Sequence, residues 1–268
     1  MEKEDIISYY RKYNEDVRLK SAYGILEEEH TRRMILKHIP HQSSEIFDIG
    51  GGTGHYARWL ADLGFRVHYS DIVPDHVRLF EERHGRQEGI LSSSVQDARD
   101  LAYADCCADL IILNGPLYHL TKKEERLQAL QESKRILNEG GQLLAFTIGR
   151  FAGLQYALNS GMIFDEDYYD MVVGELATGI RRNRSPDLPT FDTAYFHTDK
   201  EIESEMKEAG FHILSTSGVL GPAWMTPNLE TDVLEADKRE RLLAVSEIME
   251  KYPILSPKMM TIGIKQDQ

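Results

Sequence analysis

Cysteine is nearly absent from this 268-residue sequence, and the two that occur, Cys106 and Cys107, are adjacent. Neighbouring cysteines make neither a disulfide framework nor a metal-ligand set, so they read as small residues in a loop ahead of a strand. The ten histidines are scattered with no ligand spacing, and no metal is expected. No apolar run approaches the roughly 18 residues of a membrane span, and the opening MEKEDIISYYRKYNED lacks the apolar core of a signal peptide. A soluble, cytoplasmic protein is the expectation. Positive charge is also in deficit: 31 Lys and Arg stand against 44 Asp and Glu, a formal net charge of −13. A broad acidic surface repels phosphate backbones, which disfavours nucleic acid as a partner and favours a small-molecule substrate. Hydrophobic residues at 41% and charged residues at 28% are ordinary globular usage, which argues against wholesale disorder.

Glycine is concentrated at one place. In Glu45 to Tyr56, EIFDIGGGTGHY, the residues Ile46, Phe47 and Ile49 make a short β-prone run, Gly50 to Gly54 interrupt it, and a helical pattern starts near His55. Glycines let the backbone approach a ligand with no Cβ in the way, and the unpaired N–H groups of the following helix supply donors. A dinucleotide fingerprint needs Gly-x-Gly-x-x-Gly, and counting from Gly50 and Gly52 puts the third glycine at His55. An NAD-dependent oxidoreductase is therefore the weaker reading. The alternation Asp48-x-Gly50-x-Gly52-x-Gly54 after a first strand instead resembles the class I S-adenosylmethionine-dependent methyltransferases, with a small-molecule, "type 11"-like methyltransferase domain.

In that family the loop passes under the methionine part of the cofactor, which implies that Asp48, Gly50, Gly51, Gly52 and Gly54 bind it here. Asp71 ends the second strand, Arg66 to Ser70, ahead of a helix starting near Pro74. An acidic side chain at that place can accept both ribose hydroxyls, with Ile72 beside it; capping the next helix could coexist with that role. Asp97, followed by Ala98, comes after a third strand around Gly89 to Ser93. The resemblance makes Asp97 the partner of the adenine amino group and gives the neighbouring backbone N–H to a ring nitrogen; an Asx turn would explain the aspartate as well. The fourth strand, Ala108 to Leu113, is the continuous apolar run of a parallel sheet covered on both faces. It opens into Asn114-Gly115-Pro116-Leu117-Tyr118-His119. Ligands of open α/β sheets bind beyond the carboxyl ends of the strands, so this loop faces the transferring methyl group. Asn114 suits the cofactor's amino or carboxylate end, and Tyr118 and His119 are the catalytic candidates. An ordinary histidine pKa near neutrality suits a general base, although displacement at a sulfonium relies chiefly on in-line positioning and can proceed without one.

Residues 1–44 read as a helical arm. In related methyltransferases such a segment covers the cofactor and supplies tyrosine or arginine to its carboxylate, which singles out Tyr9, Tyr10, Tyr13 and Arg18; aromatic packing with a solvated Arg18 is the other reading. Thr121 to Leu137 is a helix with a Thr121-x-x-Glu124 capping box, ended by Gly140-Gly141 before a fifth strand, Gln142 to Ile148. Residues 150–197 are an insertion with helical stretches Leu154 to Ser160 and Glu166 to Thr178, and in the family an insertion here builds a substrate lid. Its Phe151, Tyr156, Phe164, Tyr168, Tyr169, Phe191 and Tyr195 line a pocket or pack the lid itself. Arg181, Arg182 and Arg184 read as a solvated loop, with an anion clamp as the alternative. Thr198 to Ala209 opens with a second capping box, Thr198-x-x-Glu201; then come a strand at Phe211 to Ser217, a loop with Trp224 and Met225, a helix over 229–250 and a last strand, Met259 to Ile264.

The resemblance thus implies an α/β, Rossmann-like doubly wound sheet of seven strands, mostly parallel with an antiparallel last strand. An N-terminal arm (1–44) precedes a core (45–149 and 198–268), with the lid (150–197) inserted after strand five. It implies transfer of a methyl group from S-adenosylmethionine to an O, N or C nucleophile of a small molecule, leaving S-adenosylhomocysteine. A non-catalytic S-adenosylmethionine sensor or partner subunit would share the same loop. The acceptor and the oligomeric state, monomer or homodimer, have no signature in the sequence.

Overall fold

The computed structural model describes residues 3–12, 15–183, 190 and 192–266; Tyr13, Arg184 and Phe191 lie outside them. Helices Lys3–Lys12, Glu15–Leu19 and Ala22–Leu36 come first. The strands are β1 (Glu45–Ile49), β2 (Arg66–Asp71), β3 (Ile90–Val95), β4 (Ala108–Asn114), β5 (Leu137–Gly149), β6 (Ile180–Arg182), β7 (Thr193–His197), β8 (His212–Gly218) and β9 (Lys258–Ile264).

The main sheet runs β3-β2-β1-β4-β5-β9-β8, with the first five parallel and β9 antiparallel to both of its neighbours. These are the seven strands expected, with the antiparallel one last in sequence. Alternate residues feed two cores. Ile46, Leu110, Ile112, Leu144 and Phe146 point to one face, while Phe47, Ile49, Ile111, Leu113 and Leu143 point to the other. That division is why β4 reads as an unbroken apolar run: both of its faces are covered.

Two strands were not anticipated. β6 and β7 pair as an antiparallel ribbon, and β7 joins the end of β5 through the pairs Ile148↔Phe196 and Gly149↔His197. Helices Ala152–Ser160 and Glu166–Thr178 lie ahead of it, as expected.

Other departures are local. A short helix, Pro116–His119, follows β4, and the helix leading into β5 spans Lys123–Ile136 with Lys122 at its cap and no side-chain cap, so Thr121 does not form the capping box. Instead the buried Arg126 guanidinium takes the Leu120 and Thr121 carbonyls, at 2.9 and 3.1 Å, and holds the backbone one residue ahead of the cap. Gly140-Gly141 does not end this helix either, because β5 begins at Leu137; the glycines lie in an irregularity ahead of regular pairing from Gln142. The stretch 229–250 divides into helices Leu229–Asp232 and Ala236–Met249. The Thr198–Glu201 capping box does form: Glu201 N–H donates to Thr198 Oγ1 at 3.2 Å, and Thr198 N–H donates to Glu201 Oε2 at 2.7 Å. Among the described residues no helix is long and apolar enough to cross a membrane.

Candidate active site

The loop after β1 is fixed from several sides. The Gly50 and Gly51 N–H groups both donate to the Ser70 carbonyl, at 2.8 and 3.1 Å. Gly50 has φ +74°, and the Pro116 ring lies 2.6 Å from where a Cβ would stand, so the β1 loop seats against the turn after β4. Gly54, at φ +82°, would place a Cβ 2.1 Å from the Phe80 ring. Phe80 stacks on Tyr69, 3.9 Å between ring centres, and the Tyr69 hydroxyl donates to the Gly52 carbonyl. Gly50, Gly51 and Gly52 line a cavity; Gly54 is not among its lining residues and serves the packing of the helix on the loop.

The three aspartates expected at strand ends differ in environment. Asp48 is fully buried beneath Gly51, and burial raises its carboxyl to about 7 against the pull of the Ala57 backbone. Asp71 accepts from Gly52 N–H and Val73 N–H, each at 2.8 Å, and lies 3.3 Å from His76 Nδ1, so one carboxylate ties the end of β2 to the glycine loop. Asp97 makes the Asx turn considered from the sequence, accepting Arg99 N–H at 3.0 Å, and also pairs with the Arg99 guanidinium at 2.6 Å.

These elements line a cavity of about 100 Å³. It brings together Tyr10, Arg18, Asp48, Gly50, Gly51, Gly52, Asp71, Ile72, Asp97, Ala98, Asn114, Tyr118 and His119, which is every residue expected there except Gly54. Thr53, His55, Gln96 and Lys258 also line it and were not anticipated. The Tyr10 hydroxyl lies 2.9 Å from His119 Nε2, and the Tyr10 ring meets the His76 ring edge-on, 5.1 Å between centres. His119 departs from expectation in one respect: burial pushes its pKa down to about 3 rather than leaving it near neutrality. The imidazole is neutral at physiological pH.

A second cavity, of about 670 Å³, shares Tyr10, Arg18, Tyr118 and Lys258 with the first. Of the two catalytic candidates, Tyr118 lines both cavities and His119 only the first. Between the cavities lies Glu27, 3% exposed, whose carboxylate accepts from Lys258 Nζ at 2.7 Å and from Arg18 at 3.1 Å. Burial alone would raise the Glu27 pKa, but the two cations outweigh it and hold the group at about 2. Neither Glu27 nor Lys258 carries a local sequence signal, because each finds its partner only in the folded chain.

Tyr23, Tyr156, Tyr168, Phe196 and Trp224 supply aromatic wall to the second cavity, with Tyr23 edge-on to Trp224. Phe164, 90% exposed, and Tyr169 face outward instead. Arg181 overturns the reading of a solvated loop. It is 5% exposed, pairs with the fully buried Glu175, hydrogen-bonds Thr190 and lies 4.7 Å from the centre of the Phe196 ring. Pairing of Arg181 with Ala194 in the β6–β7 ribbon brings it to the cavity wall, whereas Arg182 is exposed. Among the described residues no group of three or more His, Cys, Asp or Glu could hold a metal ion.

Residues 47–145 match a family model described as a methyltransferase domain. The ubiquinone/menaquinone biosynthesis C-methyltransferase of Bordetella avium is 32% identical over 111 residues, covering 40% of this chain and 42% of that protein. The Mus musculus protein named probable tRNA methyltransferase 9B is 31% identical over 105 residues, covering 38% of this chain and 21% of that one. This chain therefore matches less than half the length of either relative. The Burkholderia thailandensis 1,6-didemethyltoxoflavin-N1-methyltransferase, solved with 1,6-didemethyltoxoflavin and S-adenosylhomocysteine, shares the fold with a TM-score of 0.58 at 13% identity, over 99% of this chain and 87% of that one.

Proposed function

We propose that this chain, whose residues 47–145 form a class I S-adenosylmethionine-dependent methyltransferase domain, transfers a methyl group from S-adenosylmethionine to an O, N or C nucleophile of a small molecule by in-line displacement. What supports the reading is that two neighbouring cavities share Tyr10, Arg18, Tyr118 and Lys258 in their walls as one seam, an arrangement that suits a donor compartment beside an acceptor compartment.

The residues present fit the cofactor. The missing Cβ atoms at Gly50, Gly51 and Gly52 open the loop to close approach, and the Asp71 carboxylate is pre-oriented by Gly52 and Val73 to accept ribose hydroxyls. Asp97 and the Ala98 backbone suit the adenine edge, Ile72 its apolar face, and Asn114 and Arg18 the amino-acid end. When bound, the cofactor supplies a methyl group on a sulfonium. Tyr118 orients the acceptor from the seam, and the neutral His119 holds Tyr10 across the donor cavity. The helices and ribbon of 150–197 act as a lid that excludes water, over a core of 45–149 and 198–268, with 1–44 as the covering arm.

The aromatic wall of the second cavity and the net charge of −13 favour a small organic acceptor over RNA. Isothermal titration should show binding of S-adenosylhomocysteine and none of NAD. Incubation with S-adenosylmethionine and a fractionated metabolite extract should release S-adenosylhomocysteine. Binding with no release from any fraction would make the chain a sensor or partner subunit instead.

A further inference from the structure

Lys258 opens β9, opposite Ile148 of β5, at the seam of the two cavities. Its ammonium is largely buried and lies 5.3 Å from the centre of the Phe146 ring. Among the described residues it donates a single hydrogen bond, to Glu27 Oε1 at 2.7 Å. An ammonium has three donors, and leaving buried donors unmade is costly. The other oxygen of the Glu27 carboxylate accepts from Arg18. Two donor positions of Lys258 therefore remain at the place where donor and acceptor compartments meet.

The surroundings select what those donors take. Tyr23, Tyr156, Tyr168, Phe196 and Trp224 form an aromatic part of the second cavity's wall, against which a charge pair is screened less than in water. Of the other cations on that wall, Arg181 is paired with Glu175 and Arg18 with Glu27. In a chain of net charge −13, an acidic ligand needs a local cation, and Lys258 supplies one that is both buried and short of partners.

Resting on the methyltransferase reading above, we infer that Lys258 binds an anionic oxygen of the acceptor, and that the acceptor is an aromatic acid whose ring lies against the tyrosine and tryptophan wall. Glu27 is a positioning residue that holds the ammonium at the seam.

The test uses the full chain saturated with S-adenosylhomocysteine, titrated with 4-hydroxybenzoate and with the neutral 4-hydroxybenzamide. The expected result is a preference for the acid of about tenfold or more, retained in Lys258→Arg and reduced below about twofold in Lys258→Met, with S-adenosylhomocysteine affinity changed less than about twofold. If Lys258→Met fails to fold, Glu27→Gln/Lys258→Met strands no carboxylate and carries the same comparison. Equal binding of acid and amide, no binding of either, or a preference that survives loss of Lys258 would overturn the inference. A loss of S-adenosylhomocysteine affinity alone would overturn it too, by assigning the ammonium to the cofactor's carboxylate. Failure of wild-type protein to bind S-adenosylhomocysteine would instead remove the methyltransferase reading, and the acid-over-amide comparison on the unliganded protein would still report on Lys258.

Discussion

The Tyr10 hydroxyl lies 2.9 Å from His119 Nε2, which ties helix Lys3–Lys12 to the segment after β4 at the wall of the first cavity. Tyr10→Phe removes one neutral hydrogen bond, worth about 1 kcal/mol, and should lower kcat/KM for methyl transfer about fivefold. His119→Ala also removes a buried ring, and a loss of about tenfold or more is expected. Turnover of His119→Ala equal to wild type across the pH range would take His119 out of the reaction.

Asp48 makes stability depend on pH in a direction opposite to that of an ion-paired carboxylate. Burial lifts its folded pKa to about 7 from an ordinary 3.8, so between those values the folded chain holds a proton that the unfolded chain has released. Stability should therefore fall as pH rises from about 4 to about 7, by an amount on the order of 4 kcal/mol. Asp48→Asn should flatten this part of a melting temperature against pH curve. Parallel curves for mutant and wild type would assign the slope to other groups.

Gly54 separates a packing role from a binding one. An alanine there combines φ +82° with a Cβ 2.1 Å from the Phe80 ring. The expected cost is about 2–4 kcal/mol in urea unfolding. Because Gly54 does not line the cavity, affinity of the folded fraction for S-adenosylhomocysteine should change little. A large affinity loss with unchanged stability would reverse the assignment.

Arg181→Met would leave the Glu175 carboxylate buried without its cation. Removing one partner of a buried pair typically costs about 3–5 kcal/mol. The double variant Glu175→Gln/Arg181→Met should recover most of that loss, which denaturant titration of the three proteins measures. Single and double variants of equal stability would show that the pair is not coupled.

The glycine-loop side of the candidate site was legible in the sequence because its signals are local. Gly50, Gly52 and Gly54 alternate within five residues, and Asp71 stands at a strand end a few residues before a helix-starting proline. The second cavity was not, because its residues acquire meaning from distant partners. Glu27 and Lys258 are 231 positions apart, and each taken singly is a charged residue expected on a solvated face. Arg181 is buried only because a three-residue strand, too short and polar to stand out, pairs with β7. The seven-strand core followed from periodicity and the resemblance, whereas the Thr121 capping box does not form because the helix starts one residue later, with Lys122 at its cap. His119 was assigned an ordinary pKa because burial under Tyr10 has no trace in its neighbouring residues.

The β6–β7 ribbon meets the main sheet at two residue pairs, Ile148↔Phe196 and Gly149↔His197. A segment joined so lightly can vary in length and side chain without shifting the strands that hold the glycine loop. Divergence among relatives is accordingly expected to gather in residues 150–197 while the loop of 48–54 stays fixed. On the proposed function, exchange of that one segment is then a route to new products with the glycine loop unaltered.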